Sequence, residues 1–349
     1  MSLWSTLRIY MAPLGTLLFF ILLPFVEVML PKQLQIADLL RPIFVFAILG
    51  LGLNVVTGYT GMLNLGVAAF MAIGAYTFAI LTCDIYPFQI GFWAAILACV
   101  VSGALFGFIL GLPTMRVGGD YLAIVTLGFG EIIQDALKNL DSITKGTQGI
   151  NPLPAPTFFS YSFPGDDFRP WYYLFLAILV VVVVLNRNIE RSRVGRTWIA
   201  IREDELAASC MGINTVGAKL SAFATGAALA ALAGGLWAAH LGSSGEPGNY
   251  DFTISVMAIC IVIVGGMGNI PGVLLGALVI VGFNSVILVR LSDLLASYGM
   301  VGSQNIFSSP SSWKYMIFGL ALVLMMRFRP EGLLPSSQVK AELHHQGDS

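Results

Sequence analysis

Charge is what this chain of 349 residues has least of: Asp, Glu, Lys and Arg make up 11% of it, against about 25% in an ordinary soluble domain. A soluble fold of this size would lack the charge to cover its surface. The 18 basic and 19 acidic residues nearly cancel, so nothing in the balance points to nucleic acid or another polyanion. The four cysteines, at 83, 99, 210 and 260, have no C-x-x-C spacing and imply neither a metal site nor a disulfide framework. Histidine is scarcer still. His240 stands alone near a helix end, and His344 and His345 lie in a polar tail, too isolated for a metal. There is no Gly-x-x-x-x-Gly-Lys-Ser/Thr phosphate loop, and no Ser, His and Asp set or His-carboxylate cluster that would mark an enzyme.

What is present is apolar length. Hydrophobic residues make up 57% of the chain, and a helix crossing hydrocarbon needs roughly 20 mostly apolar residues. No charge occurs between Arg8 and Glu27, Arg41 and Asp84, Asp84 and Arg116, Arg169 and Arg187, Lys219 and Glu246, or Asp251 and Arg290. The second and last of these runs hold two crossings each. The pattern predicts an all-α integral membrane protein of ten helices, at 11–30, 38–57, 62–82, 88–112, 120–138, 169–186, 218–242, 250–267, 271–292 and 312–328. The first is long for a signal peptide and lacks an A-x-A-like cleavage site, so it reads as a retained helix.

Organised this way, the chain is one membrane domain. Residues 1–186 carry six helices and a hydrophilic break at 139–168; a connector follows at 187–217, then four helices over 218–328 and a tail at 329–349. Basic residues favour the cytoplasmic side of short loops. Arg187, Arg191, Arg193, Arg196, Arg202 and Lys219 therefore place the connector inside, and ten crossings place both termini inside with it. Eleven of the 18 basic residues then lie on the cytoplasmic side.

Two polar, Gly-rich interruptions break the apolar runs. Residues 57–66 read Thr-Gly-Tyr-Thr-Gly-Met-Leu-Asn-Leu-Gly, and residues 265–272 read Gly-Gly-Met-Gly-Asn-Ile-Pro-Gly. Unwound segments facing a transport path have this composition. Their corresponding positions in the two halves suggest an inverted internal repeat, helices 2–5 against 7–10. Most of the 38 glycines are expected to serve close helix packing.

Groups that suit weak contacts along such a path are Thr57, Thr60 and Asn64 in the first interruption, Asn269 in the second, and Thr126 and Glu131 in the fifth helix. Asp120, Glu131 and Asp135 fall within about 60° of one another on that helix. Ionisable groups within a membrane helix normally face protein or water. Glu131 could meet a substrate ammonium, tether a neighbouring helix, or simply reach interfacial water.

In the connector, Val194 to Met211 predicts a short helical region. Ile199, Leu206 and Met211, with Ala207 and Ala208, line one side of it, and Arg202, Glu203, Asp204 and Glu205 make a polar patch. Gly212 suits its C-cap. Taken alone this is a solvated charged connector.

Four stretches resemble the branched-chain amino acid permease family of ABC importers, its LivM-type subunits in particular. They are Gly58 to Thr77 (GYTGMLNLGVAAFMAIGAYT), Gly118 to Ile133 (GGDYLAIVTLGFGEII), Ser192 to Lys219 around Arg202 to Glu205, and Gly265 to Gly276 (GGMGNIPGVLLG), joined by the closing Arg-Phe-Arg-Pro-Glu-Gly-Leu from Arg327. Many members carry a His after the first motif's Leu-Gly, where this chain has Val67, so no role of that His carries over.

The resemblance implies transport of branched-chain or other neutral amino acids across a bacterial inner membrane. Near relatives carry urea or short amides, and an ion-coupled secondary transporter would share the broken helices. It further implies a second homologous permease, two cytoplasmic ATPases that hold the ATP and Mg, and a periplasmic binding protein. This chain itself would bind no cofactor. Arg202, Glu203, Asp204, Glu205, Leu206, Ala207, Met211, Gly212 and Asn214 would then couple it to the ATPases, in a short helix seated on a nucleotide-binding subunit.

Overall fold

A backbone that crosses hydrocarbon must satisfy its own N–H and C=O groups, and a helix does so within one segment. The computed structural model describes residues 20, 22–24, 37–87, 89–114, 120–154, 156–158, 161–162, 169–288, 290, 313–329 and 331–335. The helices are α1 (Ala37–Leu53), α2 (Val67–Thr82), α3 (Phe92–Thr114), α4 (Asp120–Asn139), α5 (Arg169–Arg191), α6 (Arg193–Glu203), α7 (Glu205–Cys210), α8 (Thr215–Leu241), α9 (Phe252–Gly265), α10 (Ile270–Gly282) and α11 (Lys314–Phe328). Every expected segment from 38–57 to 312–328 overlaps one of them. The expected first helix, 11–30, lies outside the described residues except for Phe20 and Leu22 to Pro24, which are helical.

Among the described residues five helical stretches are long and apolar enough to cross a membrane: Leu40–Tyr59, Phe92–Thr114, Arg169–Arg191, Thr215–Leu241 and Pro247–Gly265. Val67–Thr82 and Ile270–Ser285 are shorter apolar helices. Burial separates centre from rim. The stretches containing α1 and α8 are 83% and 78% buried, those of α3 and α5 only 39% and 33%. On α3, Trp93, Leu97, Val101, Leu105, Phe108 and Leu112 are exposed, an apolar stripe at helical spacing that suits lipid.

Small residues set the centre. A Cβ on Gly74 of α2 would overlap the Ala231 carbonyl of α8, and one on Gly234 of α8 would overlap the Met71 carbonyl of α2. The two helices therefore meet backbone to backbone, the close approach that small residues permit.

Three boundaries differ from expectation. Helix α2 begins at Val67, because residues 61–66 form no regular structure. Helix α5 runs on to Arg191, past the expected end at 186, so the connector begins later. Helix α10 continues from Gly282 into a π turn at Phe283–Ile287. The expected break at 139–168 includes a helical turn at Asp141–Thr144 and a two-residue hairpin pairing Thr157–Phe158 with Tyr161–Ser162. It is pinned to the α8–α9 loop, where Ile150 N donates to Ser244 Oγ at 2.8 Å and Leu153 N to Gly242 O at 2.9 Å.

Candidate functional site

The first interruption begins just beyond α1, in the π turn that continues it. An Asn at position 54 cannot lie in an apolar helix unless its amide finds partners. Its Oδ1 accepts from Gly268 N at 2.8 Å, in the second interruption. The helix widens there into a π turn, Asn54–Tyr59, a local distortion that recurs at functional sites. The last carbonyls of any helix lack partners along the chain. Here Thr60 Oγ1 donates to Val56 O, and Arg202 Nη1 of the connector donates to Gly58 O. A cation at a helix C-terminus also opposes the negative end of its dipole.

Gly61 then turns the chain at φ +71° beside the Arg202 stem. Residues 61–66 run alongside α9. The Gly58 end lies against Gly268, beyond the C-terminus of α9, whereas Ala68 N donates to Ser255 Oγ in its first turn, at 3.1 Å. Eleven residues of helix separate Ser255 from Gly266, about 16 Å at 1.5 Å per residue. Six non-helical residues can span such a distance.

Irregular backbone at membrane depth persists only if it is buried in protein or lines a cavity. In this segment Met62, Asn64 and Gly66 are buried and Leu65 lines a pocket, while Gly61 and Leu63 are exposed. Leu65 N donates to Thr126 Oγ1 of α4 at 3.0 Å, and Gly66 N to Asn64 Oδ1 at 2.9 Å. Beside Leu65 and Ala68 lies a small open pocket of about 10 Å³, walled by α4 (Leu127, Gly130, Glu131) and by the start of α9 (Tyr250, Asp251, Phe252, Ser255). Its side-chain charge is acidic. Asp251 also caps α9, accepting from Thr253 N at 3.0 Å.

The expected path residues therefore divide. Glu131 is exposed and lines the pocket. Asn64 and Thr126 are buried and hold the non-helical segment in place. Thr60 bonds back to its own helix. Thr57 Oγ1 is buried without a hydrogen-bond partner among the described residues. Asn269 stands apart from the pocket, its Nδ2 donating to Leu334 O at 2.9 Å. Of the acidic side expected on α4, Glu131 and Asp135 are both exposed, and the Asp120 side chain lies outside the described residues.

The second interruption is closed by backbone. Leu333 N donates to Val264 O and Leu334 N to Gly265 O, so the segment after α11 caps the end of α9. Gly332, at φ +84°, packs directly on Gly266.

The connector folds as two helices where one was expected. Asp204 is extended (φ −157°) and its Oδ1 accepts from Ala207 N at 2.9 Å, which ends α6 and starts α7. Such a cap is the ordinary preference of an Asp. Ser192 and Asn214 cap α6 and α8 in the same way. This corrects the single apolar side: Trp198, Ile201 and Ala208 are buried, Ile199 is half-buried, and Leu206 and Met211 are 75% and 83% exposed. Trp198 Nε1 anchors the unit to α8, donating to Ala218 O at 2.9 Å. Glu203 and Ala207 are exposed, and Glu205 Oε1 accepts from Lys219 Nζ. Met211 is the C-cap in place of the expected Gly212, which follows it at φ +82°.

Asn54 and Ser255 lie outside the interruptions and path residues expected from sequence, whereas Gly268 falls within the expected second interruption. Asn54 carried the one available signal, a lone amide between Leu53 and Val55 in an otherwise apolar helix.

Comparison with known proteins places this arrangement. Residues 35–326 match the family described as branched-chain amino acid transport system, permease component. The chain is 38% identical over 329 residues to the high-affinity branched-chain amino acid transport system permease protein LivM of Salmonella typhimurium, covering 88% of this chain and 71% of that protein. Identity to the Escherichia coli K12 protein of the same name is 37% over 328 residues, with the same coverage. The E. coli K12 permease protein LivH of the like-named system matches at 26% over 310 residues, 84% of this chain and 92% of the relative. No solved structure matches.

Proposed function

The chain belongs to the branched-chain amino acid permease family, and from that premise we propose that it is a permease subunit of a binding-protein-dependent ABC importer carrying branched-chain or other neutral amino acids. It is a multi-pass membrane protein, and the bacterial inner membrane is its proposed home. In this reading ten helices cross, with both termini cytoplasmic, and helices 2–5 and 7–10 form an inverted repeat. What supports the repeat is the similar polar, Gly-rich composition of the two interruptions in corresponding positions of the two halves. An experimental structure in which the two helix sets fail to superpose about an axis in the membrane plane would remove it.

The observation that carries the function is the family match from residue 35 to 326, which spans both interruptions and the connector. The remaining parts are a homologous second permease, two ATPases holding ATP and Mg, and a periplasmic binding protein. Leu206 and Met211, presented on the short capped helix α7 and the turn after it, suit a groove on a soluble subunit. The pocket beside Leu65 suits transient passage. The carboxylates that line it, Glu131 and Asp251, would meet the ammonium group of an amino acid passing along the segment. Tight binding would slow release.

Mechanistically, closure of the ATPases on ATP moves α6 and α7, and the two permeases rock between outward and inward access around the non-helical segments. Uptake into proteoliposomes tests this. Leucine should accumulate only when the second permease, both ATPases, ATP and the binding protein are present. Uptake by this chain alone under a proton or sodium gradient would favour a secondary transporter. Transport of urea in place of leucine would move the substrate. Glu205 and Gly212 substitutions, or deletion of 203–206, should uncouple ATP hydrolysis from uptake; normal transport in those variants would contradict the coupling role.

A further inference from the structure

Arg202 lies next to the exposed acidic residues Glu203, Asp204 and Glu205, yet it is turned the other way. Its guanidinium donates to the Gly58 carbonyl of the π turn, and its stem packs on Gly61 where the non-helical segment begins. The same Gly58 lies so close to the second interruption that an added Cβ would stand 2.7 Å from Gly268 N, and would overlap the Asn54 amide that accepts from it. Connector, first interruption and second interruption thus converge at Gly58.

We propose that Arg202 is a positioning residue for transport: through the Gly58 carbonyl it transmits displacement of the connector to both interruptions at once, which then move as one joint. The proposal rests on the importer reading. A helix end closed by a side chain from a separate element opens when that element moves, since the Gly58 carbonyl and the dipole lose their partner together. In the π turn that continues α1 the hydrogen bonds are already off the regular ladder. Asn54 passes the change on, because its side chain is fixed to the π turn at one end and to the Gly268 amide at the other. The second interruption is closed on its far side by the backbone of Leu333 and Leu334. It therefore follows Asn54 as a unit.

Two readouts separate this from a merely structural role. In the complete transporter, Arg202→Ala should lower leucine uptake per ATP hydrolysed about tenfold, within the usual span of coupling between sites, and Arg202→Lys should restore part of it. In the chain alone in nanodiscs, Arg202→Ala should speed hydrogen exchange of the peptide containing Gly268 about tenfold, with exchange in the centre of α8 unchanged. Faster exchange throughout α8 would mark a folding defect, and would overturn the proposal, as would wild-type uptake per ATP in Arg202→Ala or unchanged exchange at Gly268. A wild-type transporter that shows no ATP-driven uptake defeats the importer reading instead.

Discussion

The two interruptions do similar work with different materials. The first is held by side chains drawn from three other elements: Arg202 of α6 on Gly58, Thr126 of α4 on Leu65, and Ser255 of α9 on Ala68. The second is held chiefly by main chain, with Leu333 and Leu334 closing the end of α9 and glycines packed against glycines. Side-chain hydrogen bonds reach across elements and are remade when those elements move. Main-chain pairing is local and changes only when the segment itself opens. The first interruption is thus suited to respond to distant parts, and the second to follow.

Substitutions can break that contrast, and their effects should fall in a definite order. Gly58→Val lies at the point both interruptions share, and its side chain would overlap Asn54 and crowd Gly268. It should cost about 3 kcal/mol, read as a large fall in thermal midpoint in detergent. Asn54→Ala leaves the Gly268 amide without its acceptor, at about 2 kcal/mol. Thr126→Val keeps the shape but leaves Leu65 N unsatisfied, at about 1 kcal/mol. On the second interruption, Asn269→Ala should cost only about 0.5 kcal/mol, because its hydrogen bond to Leu334 is solvent-exposed. If Asn269→Ala proved as costly as Asn54→Ala, the contrast between side-chain and main-chain closure would be lost.

The smallest effect on folding belongs to the connector. Leu206→Ser with Met211→Ser should leave stability within about 0.5 kcal/mol, since both side chains are exposed. The same pair should weaken co-purification with the ATPases. Undiminished co-purification would move the docking surface elsewhere.

Helix positions were legible because hydrocarbon imposes one rule, a long apolar run, and both interruptions announced themselves as Gly and amide residues inside such runs. Their contact was not legible. Nothing local links Asn54 to Gly268, which lie 214 residues apart. The hydrogen bonds that Asn64 and Thr126 make to the non-helical segment were not legible either, since a polar side chain that caps backbone and one that faces a path look alike in sequence. The break at Asp204 was readable in principle. Asp is a strong N-cap, but the helical spacing from Val194 to Met211 ran through it.

If Arg202 and Asn54 act on one joint, their substitutions are not independent. A double-mutant cycle of Arg202→Ala and Asn54→Ala, read as leucine uptake per ATP hydrolysed in the complete transporter, tests it most directly. The second substitution should add little to the first, an interaction of about 1 kcal/mol or more. Effects that simply add would contradict it.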